Sequence, residues 1–124
     1  MLKYVLRYKF SILLAGFIAL LSLLPSSSMP DSSLFSITFL DKIVHACMYA
    51  SIGFVVLLEK MCSRNCCVVE LLHLLSLFIF SALIEILQFL VIPSRSAEWP
   101  DLLANLAGLI VAWSMYRIYL LVRS

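Results

Sequence analysis

Charged residues are scarce in this chain, since Lys, Arg, Asp and Glu make up only 13% of its 124 residues. A soluble domain of this length needs more polar surface than that to stay dissolved. It also could not bury so much apolar area, because small folds leave a large share of their surface exposed. The hydrophobic content of 64% and the mean hydropathy of +1.09 therefore indicate a protein whose solvent is lipid.

Several signatures of soluble function are also missing. The net charge of +2 is too small to indicate nucleic-acid binding. The sequence has no G-x-S-x-G elbow, P-loop or glycine-rich phosphate cradle, and it predicts no cofactor. Alternating strand patterns are absent as well, which argues against a barrel. The length suits one domain, so the sequence predicts a single all-α transmembrane domain over residues 1–124.

Four apolar stretches reach, or nearly reach, the length of about 20 residues that a membrane helix needs. Pro25 ends the first stretch and Pro93 ends the third. The short connections between them favour an antiparallel four-helix bundle with up-down-up-down packing. The predicted helices cover residues 4–24, 41–58, 68–92 and 101–122.

The basic residues predict the orientation, because cytoplasmic loops carry an excess of Lys and Arg. One side of the predicted bundle holds only Lys42 and Arg95, so both termini and the other basic residues should be cytoplasmic. An alternative interpretation of the N-terminus is a cleaved signal peptide ending near residues 26–28, which would leave three helices. The residues assigned to the cytoplasmic side are Lys3, Arg7, Lys9, Lys60, Arg64, Arg117 and Arg123.

Three predicted helices carry polar side chains at a similar depth near the outer side of the membrane. On each helix these residues are three or four positions apart, so they share one face. They are Asp41, His45 and Tyr49 on the second helix, Glu85 and Gln88 on the third, and Asp101 and Asn105 on the fourth. The inner half has no comparable set apart from Glu70 and His73 near its edge. Because a charge at the bilayer centre costs about 2.5–3.5 kcal/mol, the outer set predicts a functional site.

Structural interpretations of the same residues stay open. Asn105 could be a packing device between helices, and Asp41 or Asp101 could each be a helix N-cap. For His45 and Glu85 together, function is the favoured interpretation.

A metal site is not predicted. A divalent cation held between helices by the acidic residues and the histidine is a weaker alternative, because Lys42 and Arg95 already supply counter-charge. The residues of that alternative are Asp41, His45, Glu85 and Asp101.

Cysteine and aromatic residues receive structural interpretations. The cysteines in the predicted cytoplasmic turn should be reduced thiols, and Cys47 should pack between helices. The turn contains Cys62, Cys66 and Cys67. An aromatic belt at the membrane interfaces accounts for the Trp and Tyr residues near the helix ends. These are Tyr4, Tyr8, Trp99, Trp113, Tyr116 and Tyr119.

The motifs of the last three predicted helices occur in a specific order. They are Asp41-Lys42-Ile43-Val44-His45 with Tyr49 and Gly53, then Glu85-x-x-Gln88, then Pro93-x-Arg95-Ser96, then Asp101-x-x-x-Asn105-x-x-Gly108. This order, over roughly residues 40–111, resembles the VanZ-like family of small bacterial membrane proteins. The chain departs from the family pattern at Ser94, where glycine is frequent, and at Ala46, where an aromatic residue is common. The family is named for an accessory protein of glycopeptide resistance clusters that lowers sensitivity to teicoplanin. The resemblance therefore implies a role in the cell envelope, at the bacterial cytoplasmic membrane.

Three functions are compared for the outer set. In the first, the set binds a lipid-linked cell-wall precursor or a lipoglycopeptide, with Lys42 and Arg95 holding an anionic head group. The remaining ligand-binding residues are then Tyr49, Gln88, Asp101 and Asn105. In the second, the protein is an intramembrane enzyme that hydrolyses or transfers groups on a lipid phosphate. His45 is then the general acid or base, poised by Asp41 or Glu85. In the third, the bundle supports a larger complex. Membrane lipids are partners in every case, and so thin a bundle leaves homo-oligomers open.

Overall fold

A computed structural model of the chain describes residues 1–23, 38–60, 67–91 and 99–123, without the side chains of residues 38–41. Within these ranges the regular elements are all α-helices. They are α1 (Leu2–Arg7), α2 (Lys9–Ser22), α3 (Thr38–Glu59), α4 (Cys67–Val91) and α5 (Trp99–Arg123). The all-helical prediction is confirmed, and the last three predicted helices match α3, α4 and α5 to within three residues at each end.

Among the helices that the structure describes, α3, α4 and α5 are long and apolar enough to cross a membrane. α4 and α5 have 25 residues each, about 37 Å at 1.5 Å per residue, against a hydrocarbon core of about 30 Å. Large apolar side chains on α4 point away from the other helices, with Leu75, Ile79 and Leu83 each more than half exposed. An outward apolar face of this kind is stable only against lipid, so the chain is a membrane protein.

The first apolar stretch, predicted as one helix over residues 4–24, divides at Tyr8 into α1 and α2. The division has a physical cause in the neighbouring helix. The carboxylate of Glu59, at the end of α3, accepts hydrogen bonds from the backbone N–H of Phe10 (3.1 Å) and of Ser11 (3.0 Å). These N–H groups belong to the first turn of a helix, which has no partners of its own, so α2 begins afresh beside Glu59. The guanidinium of Arg7 meanwhile donates to the carbonyl of Glu59 at 2.8 Å.

α3 and α5 share the most extensive interface between helices. Small residues allow their backbones to approach closely, as is common where membrane helices pack together. A Cβ atom added to Gly108 would lie 2.2 Å from the carbonyl oxygen of Ala46, and one added to Gly53 would lie 2.7 Å from Cβ of Ala112. The space between Gly108 and the backbone of α3 has room for a hydrogen atom but not for a side chain. This close approach holds the polar ends of α3 and α5 side by side.

Candidate functional site

α3, α4 and α5 each bring one ionisable side chain to the same place. These side chains are His45, Glu85 and Asp101, and one nitrogen or oxygen atom from each lies within 4.8 Å of the others. All three are buried, with 7%, 4% and 9% of their surface exposed, respectively. We refer to His45, Glu85 and Asp101 as the His–Glu–Asp cluster. The structure therefore brings together three of the residues that the sequence predicts for the site.

Helix geometry explains why the three side chains converge. His45 lies near the start of α3 and Asp101 in the first turn of α5, while Glu85 is six residues before the end of α4. Seven residues after Asp101, Gly108 contacts the backbone of Ala46, the neighbour of His45. Since residues i and i+7 lie on the same face of a helix, this close contact also directs Asp101 towards α3.

Lys42 joins the cluster at its edge. Its Nζ atom lies 3.2 Å from Oδ1 of Asp101, and the Lys42 side chain retains 23% of its exposure. The described part of the site thus contains two carboxylates, one imidazole and one ammonium group.

Three further residues from the predicted site are buried on the same helix faces. Tyr49 and Asn105 are each 1% exposed, and Gln88 is 4% exposed. The side-chain amide of Gln88 donates to the backbone carbonyl of Ser22, which ties the end of α4 to the end of α2. The side-chain oxygen Oδ1 of Asn105 has no hydrogen-bond partner among the described residues. A buried polar atom in this state costs about 1–3 kcal/mol, so Asn105 is poorly explained by packing alone.

An imidazole beside two carboxylates supports two kinds of chemistry. It can transfer a proton, with one carboxylate orienting the ring and balancing the charge that develops on it. It can also contribute to a set of ligands for a divalent cation, because imidazole and carboxylate are common ligands of such ions. The Arg95 and Asp41 side chains, which the sequence also predicts for this site, lie outside the described residues.

Comparison with known proteins identifies the family. The model of the VanZ/LLP1 family matches residues 3–121. The chain belongs to this family. Searches of curated proteins and of solved structures gave no match. The family assignment confirms the resemblance inferred from the motifs, and it extends beyond residues 40–111 to include α1 and α2.

This VanZ/LLP1 protein has a second buried polar group at the opposite ends of the same helices, of which only Glu70 stands out in the sequence. Glu70, on α4, is completely buried. Its carboxylate accepts hydrogen bonds from Nζ of Lys60 at 2.8 Å and from Nε1 of Trp113 at 3.0 Å. The Nε atom of Arg117 lies 3.6 Å from the same carboxylate. We call Lys60, Glu70, Trp113 and Arg117 the Glu70 network.

The Glu70 network changes three of the sequence-based interpretations. Glu70 was expected near the membrane edge but is completely buried. Trp113 and Tyr116 were expected in an aromatic belt, but Trp113 donates a hydrogen bond to Glu70 and Tyr116 is only 4% exposed. The available signal was the i, i+4 spacing of Trp113 and Arg117 on the last helix, which places both beside one partner. Cys47, expected to pack between helices, is exposed on the outer surface of α3.

Lys60 lies just beyond the membrane-spanning part of α3. Burial lowers the pKa of its ammonium group, but the interactions with Glu70 and Tyr116 raise it by more, so the pKa is above its usual value. The ammonium also lies 5.0 Å from the centre of the Tyr116 ring. Lys60 is therefore held in its charged form, which balances the buried Glu70 carboxylate.

Proposed function

We propose that this VanZ/LLP1 membrane protein binds the polar head group of an amphiphilic cell-envelope ligand at the His–Glu–Asp cluster. The supporting observation is that buried ionisable side chains from three helices lie within 4.8 Å of one another. Ionisable residues within membrane helices are costly and commonly mark ligand or ion pathways. Uncharged Ser, Asn or Gln side chains could join the helices at lower cost, so a purely structural role accounts poorly for the cluster.

The proposal includes four membrane crossings by an antiparallel bundle. α2 has 14 residues, about 21 Å, and is too short to cross alone. The segment from Leu2 to Ser22, which contains both α1 and α2, spans about 31 Å and matches the bilayer. The excess of Lys and Arg on the side of the termini then makes that side cytoplasmic. The His–Glu–Asp cluster would lie near the outer leaflet of the bacterial cytoplasmic membrane.

The ligand we favour combines a phosphate or other anionic group with an apolar tail. Lys42, partly exposed at the edge of the cluster, provides one cationic contact. Arg95 would provide a second, bidentate contact from the outer connection. Lipid-linked cell-wall precursors and lipoglycopeptides both have this chemistry, and a ligand of the second kind would connect the protein to teicoplanin-type resistance.

An enzymatic role is the second candidate, and the position of His45 within 4.8 Å of two carboxylates favours it. His45 would act as general acid or base, with Glu85 or Asp101 orienting the imidazole. The reaction would be hydrolysis or group transfer at the head group of the bound lipid. Binding and catalysis share the same residues, so they differ only in whether the ligand is turned over.

One set of variants tests both candidates. Glu85→Gln removes one of the two carboxylates of the cluster without a change of shape, and His45→Ala removes the imidazole. Glu70→Gln is the matched control, because Glu70 is an equally buried glutamate on the same helix, 15 residues away, or about 22 Å.

Co-purified lipids are identified by mass spectrometry, teicoplanin susceptibility is measured in cells, and head-group turnover is followed in proteoliposomes. We expect the two cluster variants to lose the co-purified ligand, or its turnover, at least tenfold relative to Glu70→Gln. Equal lipid content, susceptibility and turnover in all variants that reach the membrane in normal amounts would refute the proposal.

A further inference from the structure

We propose that the His–Glu–Asp cluster binds one divalent first-row metal ion, with a ring nitrogen of His45 and one carboxylate oxygen each from Glu85 and Asp101 as ligands. The inference deepens the proposed function and rests on it, since it concerns the same site and names the cation through which an anionic head group would bind there.

The geometry of the three side chains is close to that of a metal site. Ligands of one ion lie about 2.0–2.2 Å from it, so two of them can be at most about 4.4 Å apart. The three candidate atoms lie within 4.8 Å of one another, so movements of each side chain by a few tenths of an ångström would bring all three within binding distance of one ion. The ligands come from three different helices, which makes the site rigid, and the donor set of one imidazole and two carboxylates suits Mn²⁺, Fe²⁺ or Zn²⁺.

Asn105 provides a second, independent observation. It lies one helical turn beyond Asp101 on the same face of α5, is 1% exposed, and its Oδ1 has no partner among the described residues. An amide oxygen is a hard donor that binds cations directly or accepts a hydrogen bond from a water molecule beside them. A cation bound by the His–Glu–Asp cluster would give this oxygen a partner.

The charges at the His–Glu–Asp cluster also favour a bound cation. Direct binding of a phosphate beside two carboxylates is unfavourable, and the ammonium of Lys42 would have to be shared between the phosphate and Asp101, which it contacts at 3.2 Å. A divalent cation resolves this conflict, because cations held by one or two carboxylates commonly bind phosphate oxygens in their remaining positions.

The test is metal binding by the purified full-length chain in detergent, with an affinity tag free of His and Cys. After removal of metal with a chelator, Mn²⁺ is titrated in and followed by electron paramagnetic resonance. Mn²⁺ is the probe because thiolates bind it weakly, so the cysteines near residues 62–67 do not compete. We expect the wild type to bind about one Mn²⁺ per chain. Binding should be at least tenfold weaker in Glu85→Gln and in His45→Ala. It should be a few-fold weaker in Asn105→Ala, because Asn105 contributes less to binding than the three ligands do.

Glu70→Gln should bind Mn²⁺ as the wild type does. Should the cluster variants not fold, the melting temperature of the wild-type chain remains informative, because a specific ion raises it and the chelator lowers it again. Absence of saturable Mn²⁺ binding by the wild type, or equal binding by the cluster variants and Glu70→Gln, overturns the inference. If lipid still co-purifies with the metal-free wild type in that case, the proposed function stands although the metal inference fails. If the wild type binds Mn²⁺ but no lipid ligand, the metal inference stands and the proposed function fails.

Discussion

The close contact at Gly108 makes a direct prediction about stability. In Gly108→Ala, the new methyl group would lie 2.2 Å from the carbonyl oxygen of Ala46 and 3.0 Å from the backbone nitrogen of Ala50. Ordinary contacts begin at 3.4 Å, so α3 and α5 must separate by about 1.2 Å at this point. Both neighbouring atoms belong to the backbone, which leaves no side-chain rotation to relieve the clash.

The expected cost follows from two opposing effects. Overpacking in a tight interface costs about 1–3 kcal/mol, and a backbone clash belongs at the upper end of that range. Replacing a helical glycine with alanine returns about 1 kcal/mol through better helix propensity. The variant should therefore unfold with a free energy about 2 kcal/mol lower than that of the wild type. The separation should also move Asp101 away from His45 and weaken metal and ligand binding at the His–Glu–Asp cluster.

Thermal unfolding in detergent measures the first effect, and Mn²⁺ titration measures the second. Gly16→Ala is the matched control, because a Cβ atom there meets nothing within 4 Å. It should be as stable as the wild type or slightly more stable. A Gly108→Ala variant with the melting temperature and Mn²⁺ affinity of Gly16→Ala would show that α3 and α5 are not held at the distance described here.

Two further predictions concern Glu59 and Lys60, at the C-terminal end of α3. Replacing Glu59 with Ala removes the acceptor for the first N–H groups of α2, so we expect a loss of about 1–2 kcal/mol and faster hydrogen exchange at Phe10 and Ser11. Unchanged exchange at both amides would contradict that role. Because the pKa of Lys60 is raised in the folded state, its ion pair stabilises the fold fully below pH 10.5, the ordinary pKa of Lys. This stabilisation is lost as the pH rises from that pKa through the pKa of the folded state. The melting temperature should drop above about pH 10.5, and less so in Lys60→Arg, whose guanidinium stays charged; identical pH profiles would exclude the ion pair as the cause.

The long helices could be predicted from the sequence because lipid imposes a simple requirement. A helix that crosses the bilayer needs an apolar run of nearly fixed length, and prolines mark where such runs end. The break at Tyr8 could not be predicted in this way. It depends on the carboxylate of Glu59, about 50 positions along the chain, and local hydropathy carries no information about such a contact.

The two polar sites differ in how visible they are in the sequence. His45, Glu85 and Asp101 could be predicted because each lies at a similar depth on a helix with spaced polar neighbours. Glu70 lies only three residues inside α4, where a charged side chain usually reaches water, so the sequence offers little reason to expect complete burial. Its burial depends on Trp113 and Arg117 folding over it from α5.

The extensive contact between α3 and α5 has a consequence for biosynthesis. These partners are separated in the chain by the whole of α4, so α3 must wait in the bilayer or the translocon until the last helix has been made. Until then, Gly53 and the backbone at Ala46 lack their contacts with α5, and Asp101 is not yet present beside Lys42. A ribosome that stops before residue 99 therefore releases a chain with no assembled site, in which the face of α3 that packs against α5 is open to quality-control proteases.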